Sequence, residues 1–108
     1  MELIRVTDEI YAASRRLGEA ADALFKLGKE KAESERDYRH ALAMEMVRLR
    51  DEKLPATLIP DVARGNLSDL LFARDLAEVR FKAGIEAVDA IKSQTSSLQT
   101  IIKYRSDV

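Results

Sequence analysis

The chain has 108 residues, of which 46% are hydrophobic and 34% are charged, a balance that predicts one folded domain rather than a disordered chain. The formal net charge of -1 excludes an overall field that would draw the chain onto DNA or an anionic membrane. Because the sequence contains no cysteine, disulfides, thiolate metal sites and cysteine nucleophiles are excluded as well.

The composition indicates an all-α fold. Alanine, leucine, glutamate, lysine and arginine dominate the sequence, as they do in long helices and coiled coils. The first residues, MELIRVTDEI, lack the apolar core of a signal peptide, and no apolar run approaches the roughly 20 residues of a membrane span. These features predict a cytoplasmic protein that does not enter membranes.

The first arm is predicted to be a helix over 7–53, because no proline interrupts it and Thr7 can cap its start. Apolar residues recur there at steps that alternate between three and four, as on a coiled-coil seam. These residues are Ile10, Ala13, Leu17, Ala20, Leu24 and Leu27. The pattern then resumes one position out of phase, at Tyr38, Leu42, Met46 and Leu49.

Gly28 leaves two architectures open. A single helix can run through it, since an interior glycine costs only about 1 kcal/mol. Alternatively, Gly28 ends one helix and a second begins after it, which would give a three-helix bundle. The sequence favours the continuous helix, because no residue suited to a helix N-cap directly follows Gly28.

The connector is predicted over 54–67. Pro55 stops the first arm, and Pro60 suits the first turn of a short helix near 58–64 that Gly65 and Asn66 would end. Ser68 is expected to cap the next helix. The apolar residues of the connector are predicted to plug the end of the bundle: Leu54, Leu58, Ile59 and Val62.

The second arm is predicted to be a helix over 68–105 with two apolar stripes. The seam stripe consists of Leu67, Leu70, Arg74, Ala77, Phe81, Gly84, Val88, Ile91, Thr95, Leu98, Ile102 and Arg105. The second stripe consists of Phe72, Leu76, Val79, Ala83, Ala87 and Ala90. At 100° per residue these stripes lie on different faces of the helix, so a single packing partner cannot cover both.

The fold expected from these patterns is an elongated antiparallel helical hairpin, with the three-helix bundle as the alternative. The second stripe of the C-terminal arm then needs a further partner. We expect self-association through that stripe, most simply as a two-fold homodimer.

The sequence offers little chemistry. His40 is the only histidine, and although Asp37 and Glu33 share its helix face, a metal site in a bundle needs several such contributions. Neither a phosphate-binding loop nor a nucleophile or metalloprotease motif is present. The chain is therefore predicted not to be an enzyme and to use no cofactor or metal.

A nucleic-acid interface is one alternative function. If Lys53 lies beside Ser68 in an antiparallel pair, then Arg105 lies near Arg16. That register would gather bases beside two aromatic rings that can stack on nucleotides. The candidate residues are Arg15, Arg16, Lys103, Arg105, Tyr11 and Tyr104. The competing interpretation is that these are solvated helix ends.

The layout of the chain resembles a class of short helical proteins that phages and prophages encode, often beside recombination genes. The segments that carry the resemblance are LPATLIPDVARGNLSD, RDLAEVRFKAGIEAVDAI and SLQTIIKYRSD. The resemblance implies a phage or prophage setting, in which the protein would be located in the host cytoplasm. It also implies a helper or inhibitor that acts by binding a host protein.

Three functions remain open at this point. The favoured one is protein–protein binding by a phage-type accessory protein that inhibits a host protein. The others are a nucleic-acid-binding helper in recombination and a structural coiled coil that only assembles.

Overall fold

The computed structural model describes residues 2–106 and confirms the all-α helical hairpin. Helix α1 spans Glu2–Asp51, α2 spans Ile59–Asn66 and α3 spans Ser68–Ser106. Helix α1 runs without interruption through Gly28, so the alternative in which the helix breaks at Gly28 is wrong. A Cβ added at Gly28 would lie 3.6 Å from the Phe81 ring, at ordinary van der Waals distance. The packing of the two arms therefore does not require glycine at this position.

The start of α1 differs from the prediction. The helix begins at Glu2, whose carboxylate lies in the first turn and favours the positive end of the helix dipole. The hydroxyl of Thr7 donates to the Leu3 carbonyl oxygen at 2.8 Å. Thr7 is therefore an interior residue that bonds back along the helix, and the predicted cap at Thr7 is wrong.

The end of α1 is a Schellman motif built around Lys53, which has a φ of 64°. The amide of Leu54 donates to the Leu49 carbonyl at 3.2 Å, and the amide of Lys53 donates to the Arg50 carbonyl at 2.9 Å. Leu54 also packs against the buried cluster that includes Leu49, as expected of the apolar contact that accompanies this motif. Pro55 follows at once, so the helix cannot continue.

Helix α2 packs against the last turns of α1. Ile59 and Ala63 are buried with Leu49 in one cluster, and Leu42 and Met46 pack against it. Pro60 occupies the first turn of α2 as predicted. The expected plug is only half formed, because Ile59 is buried and Leu54 is half-buried while Leu58 and Val62 remain exposed.

The junction between α2 and α3 keeps helical hydrogen bonding. The amide of Leu67 donates to the Ala63 carbonyl at 3.1 Å, and the amide of Leu71 donates to the Leu67 carbonyl at 3.0 Å. Leu67 therefore takes the N-cap position of α3, one residue before the predicted Ser68. The chain reverses before α2, so α2 belongs to the second arm of the hairpin.

Contacts divide the chain into two compact units. The first unit combines residues up to Lys26 with residues from Lys82 onward, and the second comprises Leu27–Phe81. In each unit a segment of α1 lies antiparallel to a segment of the second arm. In the first unit, Arg105 pairs with Glu2 at 2.5 Å.

The observed register differs from the predicted one. Asn66 reaches Glu45, with 3.3 Å between Nδ2 and Oε1, whereas the prediction placed Ser68 beside Lys53. Arg16 bonds to Gln94, not to Arg105. The pairing is thus displaced by roughly three to four helical turns, because α2 occupies the length of α1 that α3 was expected to cover.

The seam itself is confirmed by burial. On α1 every predicted seam residue is buried or half-buried, with Ala13, Tyr38 and Leu49 the most enclosed. On α3 the predicted seam is likewise covered, except that Leu71 replaces Leu70 and Arg105 is exposed. The apolar periodicity therefore identified which faces meet, although it did not fix their register.

Candidate functional site

The outer face of α3 in the second unit carries three exposed apolar side chains. Phe72, Leu76 and Val79 are 68%, 46% and 63% exposed, at the i, i+4, i+7 spacing of one helix face. Counted at 100° per residue, they lie roughly 130–170° from the seam that faces α1. Helix α1 therefore cannot cover them.

The rest of the predicted second stripe lies in the first unit. Ala83, Ala87 and Ala90 are exposed there. Alanine offers little apolar surface, so Phe72, Leu76 and Val79 contribute most of the solvent-exposed apolar area of the second stripe. We refer to Phe72, Leu76 and Val79 as the outer stripe.

A groove runs along one flank of the second unit. It consists of three hollows of about 630, 470 and 230 Å³. Helix α1 contributes Gly28 and Ala32 to the largest hollow, Arg39 to the middle hollow and Arg50 to the smallest hollow. At 100° per residue these residues lie about 40–80° to the same side of the seam residue Leu42, so the hollows follow one another along a single flank.

The opposite flank of the second unit is closed by polar contacts. Arg80 reaches Glu30 at 3.3 Å, and Asn66 donates to Glu45 at 3.3 Å. Glu30 and Glu45 lie about 60–120° to the other side of Leu42. The two flanks of this unit therefore differ, because the hollows remain on the other flank although Glu35 and Arg74 lie 3.6 Å apart there.

The open flank exists because polar residues interrupt the seam. In the largest hollow the ammonium of Lys31 lies 5.4 Å from the centroid of the Phe81 ring. In the middle hollow the guanidinium of Arg74 lies 4.7 Å from the centroid of the Tyr38 ring. Charges over aromatic faces hold the helices here in place of close apolar packing.

The carboxylate of Glu35 links the two larger hollows. Its Oε1 accepts from Arg39 Nε at 2.6 Å, and its Oε2 lies 3.6 Å from Arg74 Nε. The hydrogen bond from Arg39, helped by the charges of Arg39 and Arg74, holds the pKa of Glu35 below its ordinary value of 4.5. Glu35 is thus an ionised anchor between two arginines.

The open flank of α1 is basic. Between 29 and 50 its positions recur at steps of three and four: Lys29, Ala32, Arg36, Arg39, Ala43, Met46 and Arg50. Four of these seven residues are basic and none is acidic. This pattern differs from an apolar seam because basic residues occupy four of its positions. The signal in the sequence is the recurrence of these residues at steps of three and four.

The residues proposed for nucleic-acid binding do not form one cluster. All six are exposed, but Arg16 bonds to Gln94 while Arg105 pairs with Glu2. Along α3, Gln94 and Arg105 are eleven positions apart, which is about 16 Å at 1.5 Å per residue. The predicted placement of Arg105 beside Arg16 is therefore wrong, because it depended on the displaced register, while binding of nucleic acid by these residues stays a prediction.

Other chemistry is sparse in the described part of the chain. His40 is exposed, and across residues 2–106 no group of histidine and acidic side chains is placed to hold a metal ion. Over the same residues, no helical stretch combines the length and the apolar character that a membrane crossing requires.

No family model, curated protein or solved structure matches the chain. The outer stripe and the groove are the features of the described residues that bear on function.

Proposed function

We propose that this chain is a non-enzymatic accessory protein that acts by binding other proteins, and that it does so as a homodimer joined through the outer stripe. The observation that carries the proposal is the exposure of Phe72, Leu76 and Val79 on a helix face that α1 cannot reach. A contiguous exposed apolar patch of this kind marks an interaction surface.

The chain exposes more surface than a compact monomer of its mass. A compact monomer of 12.2 kDa exposes about 6,000 Å² by the usual scaling with mass, whereas this chain exposes 8138 Å². The difference leaves surface available to a partner.

The core also supports association. Only seven hydrophobic residues are buried among those described, and three of them are alanines. No large side chain of the described residues is fully enclosed. Burial stabilises a fold by roughly 25 cal/mol per Å² of apolar surface, so covering the outer stripe would add to a small core.

A phage or prophage setting, with action on a host protein in the cytoplasm, is supported by the resemblance in layout. Inhibition of that host protein fits a helical chain that exposes an apolar binding face. The nucleic-acid alternative has less support, because Arg16 bonds to Gln94 and Arg105 pairs with Glu2.

Phe72→Asp tests the proposal by sedimentation equilibrium. A charge at the centre of an apolar interface is costly to desolvate, so we expect the dimer to weaken at least about tenfold. The matched control is Met44→Asp, which places the same charge at a 60% exposed residue on the outer face of α1. Equal masses for the two variants would contradict the proposed interface.

A further inference from the structure

We propose that the open groove of the second unit binds an acidic amphipathic helix of a partner protein, which lies between α1 and the second arm of the hairpin, formed by α2 and α3. The inference rests on the proposed protein-binding function and names the chemistry of the partner. It concerns the open flank of the second unit, whereas self-association uses the outer stripe.

The dimensions of the groove fit the side of a helix. Along α1 it extends from Gly28 to Arg50, which is about 33 Å at 1.5 Å per residue. A partner helix of about 22 residues would fill that length. The three hollows would receive its apolar side chains at the spacing of one helix face, as in other helix-in-groove complexes.

The walls of the groove supply apolar contact. Phe81 lines the largest hollow, Leu42 and Leu71 line the middle one, and Ile59 and Pro60 line the smallest. The smallest hollow, at about 230 Å³, lies below the about 300–1,000 Å³ typical of small-molecule pockets. Its size suits one inserted side chain.

The charge of the groove selects an acidic partner. On the open flank of α1, Arg36 pairs with Asp37 at 3.0 Å and Arg39 pairs with Glu35 at 2.6 Å, both partners lying at most four residues away. Such exposed local pairs contribute little, so these arginines can also contact carboxylates of a partner. Arg50 lines the smallest hollow and is exposed, which places a further base at that end.

The same features disfavour nucleic acid and a second copy of the chain. Glu35 and Glu78 line the largest hollow, and a nucleic acid, which carries a phosphate at every nucleotide, would bring phosphates against them. A helix can instead place an apolar side chain in that hollow and keep its carboxylates beside Arg39 and Arg50. Two copies meeting groove to groove would bring like charges together, which is unfavourable. An acidic helix with apolar residues on one side satisfies both the charge and the walls.

The probe is a synthetic 22-residue peptide with leucines at alternating steps of three and four, one of them replaced by tryptophan, and with glutamate and alanine elsewhere. The full-length chain contains no tryptophan, so tryptophan emission reports the peptide alone. We expect a blue shift on titration with a Kd below about 100 µM. A peptide with lysine in place of glutamate should not bind.

Two kinds of variant test the groove. Arg39→Glu/Arg50→Glu reverses its charge, and we expect binding of the peptide to weaken at least about tenfold. Ala32→Phe fills the largest hollow and should weaken binding to a similar degree. The matched controls are Arg15→Glu and Ala21→Phe, which alter exposed residues of the first unit and should bind the probe as the unaltered chain does. Circular dichroism checks that each variant keeps its helices.

The outcomes separate the groove from the outer stripe. Retained binding by both groove variants would overturn the proposal, as would equal binding of a peptide with the same composition in scrambled order. Displacement of the probe by a single-stranded oligonucleotide at low salt would also overturn it in favour of nucleic acid. Loss of binding in Phe72→Asp with both groove variants unaffected would move the site to the outer stripe. Weakened binding by the groove variants in a chain that sediments as a monomer would support the groove while contradicting the proposed dimer.

Discussion

Lys53 ends α1 in a backbone conformation that residues with a side chain rarely adopt. Its φ of 64° belongs to the left-handed region, which costs an L-residue about 1–2 kcal/mol and costs glycine almost nothing. Glycine is the usual residue at this position of a Schellman motif. A lysine here keeps a positive charge at the negative end of the helix dipole, at the expense of backbone strain.

Replacing Lys53 with glycine should therefore stabilise the protein. The relief of strain exceeds the added entropy of the unfolded chain, so we expect a gain of about 0.5–1 kcal/mol. The measurement is the midpoint of thermal unfolding, which should rise by several degrees at about 4–8 °C per kcal/mol. Lys29→Gly, inside α1, is the matched control and should lower the midpoint. A lower midpoint for Lys53→Gly would contradict the strained conformation.

Glu35 gives the stability of the second unit a dependence on acid. Because the Arg39 hydrogen bond lowers the pKa of Glu35 in the folded chain, its stabilising effect is complete above the ordinary value of 4.5. That effect is lost as the pH falls through the lowered pKa. Glu35→Gln or Arg39→Ala should reduce the fall in unfolding midpoint between about pH 5 and pH 3. An unchanged fall in both variants would show that this pair does not contribute.

At the scale of the elements, periodicity predicted the faces that meet but not their register. The alternation of three and four correctly located the seam residues from Ile10 to Leu49 and from Leu67 to Ile102. Register depends instead on how the chain reverses. The Schellman motif at Lys53 and the helical hydrogen bonds through Leu67 are local geometries that side-chain patterning does not encode.

The groove was missed for a related reason. Its α1 positions repeat at the same spacing as a seam, but they carry bases where a seam carries apolar residues. Whether such a flank is open or bridged depends on the partners that the other arm supplies. With Arg80 beside Glu30 and Asn66 beside Glu45, one flank of the second unit is closed, and only the observed register shows that.

The register is open to a direct cross-linking test. The chain lacks cysteine, so a short bismaleimide would link only introduced thiols. We expect an intrachain product from Arg16→Cys/Gln94→Cys, because the native side chains meet at 2.8 Å. Arg16→Cys/Arg105→Cys should give little, since Arg105 lies about 16 Å further along α3. Efficient linkage of the second pair alone would restore the register expected from the sequence.

Across the whole molecule, the described helices leave large apolar side chains exposed to solvent. The seam buries one face of each long helix, and more than half of the surface of Phe72 and Val79 remains exposed to solvent. Helix α1 is continuous and α2 packs against its last turns, so within residues 2–106 neither helix covers these side chains. The exposure of the second stripe in the described chain is the condition for self-association.

The most direct measurement is the mass of the unaltered chain by light scattering at concentrations well above micromolar. Homodimerisation through the outer stripe gives twice the chain mass of 12.2 kDa. In Phe72→Asp the average molecular mass should fall toward that of a single chain. A constant mass of 12.2 kDa at the highest concentrations, with Phe72 still in place, would contradict the account.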